Sequence, residues 1–299
     1  MHTITDIRQM QQWADGTRAQ GRRIGLVPTM GYLHAGHLSL VTVARRHSDV
    51  AVASIFVNPM QFGASEDLDK YPRDVEHDTR LLVEAGTGVL FLPDAAAMYP
   101  EGFQTTVKVE RMTRGLCGAS RPAHFQGVTT VVAKLFHIVK PHVAVFGRKD
   151  FQQFVTIRRM ASDLDMDIEV IGAPTVREPD GLAMSSRNVY LSVAERQAAM
   201  CLPKALATAE ALVQRGELDG LRILAAARRV IADEPLARLE YATLADPDTL
   251  EEVSTLHGPT LLAMAAHVGK TRLIDNSILD PAANGFPLPD GRGSEGGEM

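Results

Sequence analysis

Between Val50 and Val57 the chain reads VAVASIFV, an almost unbroken apolar run of strand-forming residues. A strand with one wet face alternates apolar and polar residues, so a run without alternation must be covered on both faces. This constrains the fold strongly, because it calls for a sheet held between helices. The flanking sequence supplies them. Ile7, Met10 and Ala14 sit at helical spacing up to Gly21, and Ile24 to Val27 then reads as a short buried strand. Leu38, Val41 and Arg45 return to helical spacing. Val75, Thr79 and Leu82 predict a helix stopping near Gly86, and Val89 to Leu92 a strand closed by Pro93. Val128, Val131, Val132, Leu135 and Phe136 follow the i, i+3, i+4, i+7, i+8 pattern until Pro141. Val143 to Phe146 reads as a strand. A helix beginning near Asp150 then buries Ile157, Met160, Ala161 and Leu164, and Ile168 to Ile171 is a further strand. Strand and helix in alternation predict an α/β fold with a mostly parallel sheet. Such sheets bind ligands beyond the C-terminal ends of their strands. That directs attention to Pro28–His37, Asn58–Gly63 and Gly147–Gln153.

The texture changes after about Pro174. Ala194 to Gly216 is an Ala-rich helical stretch, a second helix covers about Leu221 to Ala232, and Tyr241–Leu244, Leu261–His267 and Arg272–Leu279 read as strands. The expectation is a first domain over 1–175, a smaller α+β domain over 176–283, and a disordered tail over 284–299, which is rich in Gly, Pro and charge. With 299 residues the chain is long enough for two cores. Its 31 basic and 36 acidic residues give a net charge of −5, which argues against a broad nucleic-acid-binding face. Two cysteines exclude a disulfide framework and a four-cysteine zinc site. No stretch approaches the roughly 18 apolar residues of a membrane span, and the N-terminus lacks a secretion signal. These features point to a soluble cytoplasmic protein.

Two motifs mislead. Gly291-Arg-Gly293-Ser-Glu-Gly296 fits G-x-G-x-x-G but follows no strand and opens no helix. Gly269-Lys270-Thr271 resembles the end of a P-loop, yet Met264 stands where the first glycine belongs. The informative segment is Pro28-Thr-Met30-Gly-Tyr-Leu-His34-Ala-Gly-His37, a strand running into a glycine turn and a helix. A helix N-terminus attracts anions, and His34 and His37, three apart, face the same way. Two imidazoles there can donate to phosphate oxygens as charge builds. A zinc pair and a merely capping histidine are the alternatives. In Ser54-Ile-Phe-Val-Asn58-Pro-Met-Gln61, uncharged Asn58 and Gln61 at a strand end suit a small hydroxylated substrate. In Phe146-Gly-Arg-Lys149-Asp150-Phe-Gln-Gln153, Lys149 can reach a phosphate and Asp150 is a candidate N-cap, though a solvated lysine fits too. Met184-Ser185-Ser186-Arg187-Asn188 offers hydroxyls and a guanidinium to a polyphosphate.

These segments, with Arg121-Pro-Ala-His124-Phe-Gln-Gly127 and PTVREPDGLAMSSRN, resemble the pantothenate synthetase (pantoate–β-alanine ligase) family from about Thr5 to Leu279. The resemblance implies a Rossmann-like nucleotidyltransferase domain with a C-terminal lid, in a homodimer. It implies that ATP, (R)-pantoate and β-alanine give pantothenate, AMP and pyrophosphate, with Mg²⁺, through a pantoyl adenylate. It makes Met30 to His37 the ATP-binding turn, with His37 the proton donor and His34 its partner. It places pantoate on Gln61 and Gln153, with Gln61 also near β-alanine. Gly147, Arg148, Lys149 and Asp150 become the adenosine-side loop, with Lys149 the phosphate lysine, Val176 a backbone contact to adenine, and Met184, Ser185, Ser186 and Arg187 the second phosphate signature. One residue departs from the family, Arg148, where glutamate is usual. Roles for Arg121 and His124 do not follow from spacing, and neither do the Mg²⁺ ligands. Two rivals remain: a nucleotidyltransferase acting on phosphorylated acceptors, and an RNA-binding or nucleotide-sensing relative.

Overall fold

The computed structural model describes residues 1–63 and 68–284. Residues 285–299, and with them the rejected glycine motif and nearly all of the expected tail, lie outside the described residues. The chain forms two compact units. The first takes residues 1–179 and 183–189, and the second takes 180–182 and the chain from Tyr190 onward. The return of 183–189 to the first unit is held by the Met184 N–H, which donates to the Val176 carbonyl at 3.0 Å.

In the first unit the elements are β1 (His2–Ile4), α1 (Ile7–Ala19), β2 (Ile24–Thr29), α2 (Ala35–His47), β3 (Val50–Ile55), α3 (Val75–Glu84), β4 (Val89–Phe91), α4 (Ala95–Met98), α5 (Cys117–Ser120), α6 (His124–Val139), β5 (Val143–Gly147), α7 (Phe151–Asp163) and β6 (Glu169–Ala173). All six strands are parallel, in the order β1-β4-β3-β2-β5-β6. Strand β1 is too short for periodicity to find, and only Ile4 of it is buried. Strand β3, which takes the first six residues of the VAVASIFV run and stops at Ile55, is interior as its composition requires. Its Ala51, Ala53 and Ile55 pack with Val27, Val143 and Val145 against Leu40, Val41 and Ala44 of α2 and Leu82 of α3. Leu26 and Val52 alternate with these and turn to the opposite face, where α1 and α6 pack together and against β2. Helix α6 ends at Lys140 in the left-handed conformation, one residue before Pro141.

The order reverses at β2. The chain steps outward from β2 through β3 to β4, then resumes on the other side with β5 and β6. The loops leaving β2 and β5 therefore diverge, opening a crevice at their C-terminal ends.

In the second unit, α8 (Val193–Ala199), α9 (Cys201–Gln214) and α10 (Gly220–Ala232) accompany an antiparallel sheet of β7 (Ala237–Ala245), β8 (Thr260–Val268) and β9 (Thr271–Leu279). The single helix expected over 194–216 is broken at Met200. Pro203 has no N–H for the Ala199 carbonyl, and its ring crowds that carbonyl, so the helix cannot run through. Leu202, Leu206, Ile223, Ile231, Leu262 and Met264 anchor the core of this unit. Gly269 and Lys270 form the turn of the β8–β9 hairpin, with Gly269 at φ +56°. That is a strand connection and no phosphate loop. Cys117 and Cys201 are both buried and neither is in a disulfide. No helix among the described residues is long and apolar enough to cross a membrane.

Candidate active site

A cavity of about 210 Å³ opens at the β2/β5 crevice. Its lining includes Met30, His34 and His37 from the β2 turn and Asn58 and Gln61 after β3. It also includes Gly147, Lys149, Asp150 and Gln153 after β5, and Val176 with Met184 to Arg187. Of the residues for which the sequence suggests a ligand role, Arg148 alone is not part of the lining. It is exposed and lies outside the lining, so the departure from the family pattern adds no charge to the cavity wall.

The β2 turn is built from the backbone outward. Tyr32 sits at φ +51°, a conformation costly for a non-glycine residue, and must be held there. Asp78 of α3 holds it. Its two carboxylate oxygens accept the Tyr32 N–H at 2.8 Å and the Leu33 N–H at 2.7 Å. Asp78 is 1 % exposed, and burial pushes its pKa up against the pull of those two donors. Ser186 donates to the Tyr32 carbonyl at 3.3 Å, joining the β2 turn to the Met184–Arg187 loop.

Helix α2 starts directly after this turn with a capping box made of two histidines. His34 is the N-cap, and its Nδ1 accepts the Gly36 N–H at 3.1 Å. His37 returns the bond, its Nδ1 accepting the His34 N–H at 3.3 Å. A Cβ at position 36 would lie 2.8 Å from the His34 ring, so glycine there lets the ring fold back. Backbone N–H groups only donate, so both Nδ1 atoms are unprotonated and each ring carries its proton on Nε2. The rings lie 4.2 Å apart. Burial, aided by Lys149, lowers the His34 pKa to about 4. Burial, aided by His34 and Lys149, lowers that of His37 to about 3. Both are neutral hydrogen-bond donors near pH 7, with their second nitrogens committed to the backbone. That commitment disfavours a zinc pair, and no group of three or more potential ligands occurs among the described residues.

Folded-state values below the unfolded value of about 6.5 mean that the unfolded chain binds more protons. Their stabilising effect is complete above about pH 6.5 and is lost as pH falls toward 4 and 3. His34→Asn keeps an N-cap acceptor and removes one titrating ring. Urea unfolding at pH 7 and pH 4.5 is expected to show a smaller acid-induced loss in His34→Asn than in the parent. Equal losses would mean that His34 is not held neutral.

The segment after β3 is held from below. Asn58 Nδ2 donates to the Gln61 Oε1 at 3.1 Å and to the Gly127 carbonyl at 3.0 Å. The Gln61 carbonyl accepts from His124 Nδ1 at 2.9 Å and from Arg121 Nη2 at 3.3 Å. A Cβ on Gly127 would stand 2.3 Å from the Met60 carbonyl oxygen, so only glycine permits this approach of α6. The Arg121–Gly127 stretch, whose individual roles spacing leaves open, thus grips Gln61. Adjacent glutamines on α7 part company because each helical residue turns about 100° from the last. Gln153 lines the cavity, while buried Gln152 donates to the Met112 and Gly115 carbonyls, both at 2.9 Å. Asp150 occupies the N-cap position of α7 but makes no side-chain cap bond, contrary to expectation. Its carboxylate instead lies 3.8 Å from the Lys149 ammonium. The Arg187 guanidinium stands over the Tyr71 ring at 5.9 Å.

Periodicity did not reveal Asp78, Tyr71 or Tyr99, although the charge of Asp78 on a buried helix face was a usable signal.

The profile of the pantoate-beta-alanine ligase family matches residues 2–278. The chain belongs to the pantoate-beta-alanine ligase family. A curated pantothenate synthetase from Syntrophobacter fumaroxidans is 56 % identical over 283 residues, 95 % of this chain and 100 % of the relative. The crystal structure of pantothenate synthetase from Thermus thermophilus superposes with a TM-score of 0.89 at 45 % identity, covering 94 % of this chain and 100 % of that one. The pantoate-beta-alanine ligase of Francisella tularensis, complexed with beta-gamma ATP and beta-alanine, gives a TM-score of 0.77 at 31 % identity with the same coverage. The activity of the chain is the ATP-dependent joining of pantoate to β-alanine.

Proposed function

We propose that the β2/β5 cavity carries both half-reactions. The observation that supports it is the convergence, in one cavity, of two neutral imidazoles and a lysine with two glutamines. A pantoate carboxylate oxygen attacks the α-phosphorus of ATP, and the bond to pyrophosphate breaks. The β-alanine amine then attacks the acyl carbon of pantoyl adenylate, and AMP leaves. The transferring phosphoryl group needs placement and charge stabilisation and no protein nucleophile. His34 and His37 supply Nε2–H, Lys149 and Arg187 supply positive charge, and Ser185 a hydroxyl. The histidines act as hydrogen-bond donors before they act as acids, because their pKa values are low. A phosphate beside them pulls those values back up.

Gln61 and Gln153 hold pantoate. Asn58 positions Gln61. Val176, whose carbonyl is taken by Met184, offers its N–H to adenine beside the Gly147–Asp150 loop. Asp150 is the one carboxylate in the described lining. That donor set fits Mg²⁺ borne on ATP phosphates, an ion that takes one or two carboxylates and keeps waters. Asp150 would hold it, and its charge would offset that of the phosphates. The second unit as a lid, a homodimeric state and a cytoplasmic location complete the reading, and sedimentation velocity tests the dimer.

The test is pyrophosphate release with ATP and Mg²⁺. Pantoate alone is expected to give a stoichiometric burst, and added β-alanine to make release catalytic with AMP as product. Release dependent on a phosphorylated acceptor, and not on pantoate, would favour the nucleotidyltransferase rival. In the same assay Gln61→Ala is expected to raise the pantoate KM by about tenfold or more, as for a lost hydrogen bond to a charged group. Unchanged pantoate kinetics would remove Gln61 from the pantoate site.

A further inference from the structure

The hydrogen bonds around Asn58 form a chain whose polarity is set by backbone groups. The Gly127 carbonyl only accepts, so the Asn58 atom 3.0 Å away is the amide nitrogen. The amide oxygen then faces the Met60 N–H at 3.3 Å and the Tyr99 hydroxyl at 2.7 Å. Tyr99 follows the one-turn helix α4, and burial pushes its pKa up, which keeps the proton on the phenol as donor. The remaining Asn58 N–H goes to Gln61 Oε1 at 3.1 Å. Gln61 Nε2 is thereby turned the other way, to 2.9 Å from the Met30 sulfur in the cavity wall. A thioether is a weak acceptor, so this nitrogen keeps its donating capacity for a better one. Asn58, 1 % exposed, has both N–H groups and both lone pairs in use.

We propose that Tyr99 is a positioning residue that acts through Asn58 to hold the Gln61 amide with its N–H₂ toward the substrate. The site thereby selects a hydrogen-bond acceptor on the hydroxy acid. Of the two donors to the Asn58 oxygen, the Tyr99 hydroxyl is the closer, at 2.7 Å against 3.3 Å for the Met60 N–H. Its loss leaves the Asn58 oxygen with the longer Met60 contact alone, so the Asn58 amide, and Gln61 with it, is held less firmly. The inference rests on pantoate binding at Gln61 and assigns the polarity of that contact.

The test is Tyr99→Phe, which keeps the ring packed edge-on against Phe103 at 5.1 Å and beside Phe56 at 6.1 Å. The pantoate KM is expected to rise about tenfold, the effect of one buried hydrogen bond, with the ATP KM within about twofold of the parent. In a Gln61→Ala background Tyr99→Phe is expected to add nothing. Gln61→Glu keeps the acceptor facing Asn58 and replaces the donor facing the substrate, so its pantoate KM is expected to rise at least as far as that of Gln61→Ala. Equal rises in both KM values, or additive effects in the double variant, would show that Tyr99 merely packs. Normal pantoate binding by Gln61→Glu would overturn the assigned polarity. If Gln61→Ala itself leaves the pantoate KM unchanged while Tyr99→Phe raises it, the placement of pantoate on Gln61 fails and the inference falls with it.

Discussion

His37→Ala is expected to fold and to bind ATP, yet to form pantoyl adenylate about 10³-fold more slowly than the parent enzyme. The imidazole stands at the third position of α2, with Nδ1 tied to the His34 backbone and Nε2–H left for the ligand. Charge develops on the phosphoryl oxygens only as the carboxylate attacks, so the lost donor weighs on kcat more than on ATP affinity. The helix loses half of its capping box, a cost of about 1 kcal/mol that leaves the fold intact. Rapid-quench measurement of pyrophosphate release with pantoate alone isolates the step. His37→Gln, which restores an N–H₂ at similar reach, is expected to recover part of the rate. Near-parental adenylate formation by His37→Ala would end the assignment.

Asp78→Ala is expected to lower stability by about 2–5 kcal/mol, because two N–H donors lose their acceptor at once. It also releases Tyr32, held at φ +51° by the bonds that Asp78 accepts from two successive amides. The ATP KM is expected to rise about tenfold or more, since the turn that leads to His34 is no longer held. Asp78→Asn is the finer instrument: its amide oxygen accepts one N–H while its nitrogen opposes the other, so an intermediate loss is expected. Thermal unfolding and ATP titration of both variants check this. Parental ATP binding by Asp78→Ala would show that the turn holds its shape alone.

The α/β class was legible because burial leaves a period in a strand or helix, and β2, β3, α6 and β5 lie close to where that period puts them. Strand β1, helices α4 and α5, and the break at Met200 were not, since three or four residues carry no period and a proline in a first turn is ambiguous. The loops that meet at the cavity were legible for a different reason. Each is a contiguous motif at a strand end, and the crevice rule places strand ends together. Arg148 shows the limit: it sits inside such a motif, yet its side chain faces solvent.

The layered α/β architecture, and the identity of the groups proposed to face the nucleotide and pantoate, are written locally in the chain and can be read there. What holds those groups in place is written nowhere along it. Asp78 reaches the Leu33 N–H across 45 residues, Tyr99 reaches Asn58 across 41, and His124 reaches the Gln61 carbonyl across 63. That the two histidines stay neutral well below pH 6.5, each with its proton on Nε2, is likewise a product of the folded state, since it follows from burial and from which nitrogen meets a backbone N–H. Such pairings arise only once strand order brings distant loops together, and no spacing along the chain records them.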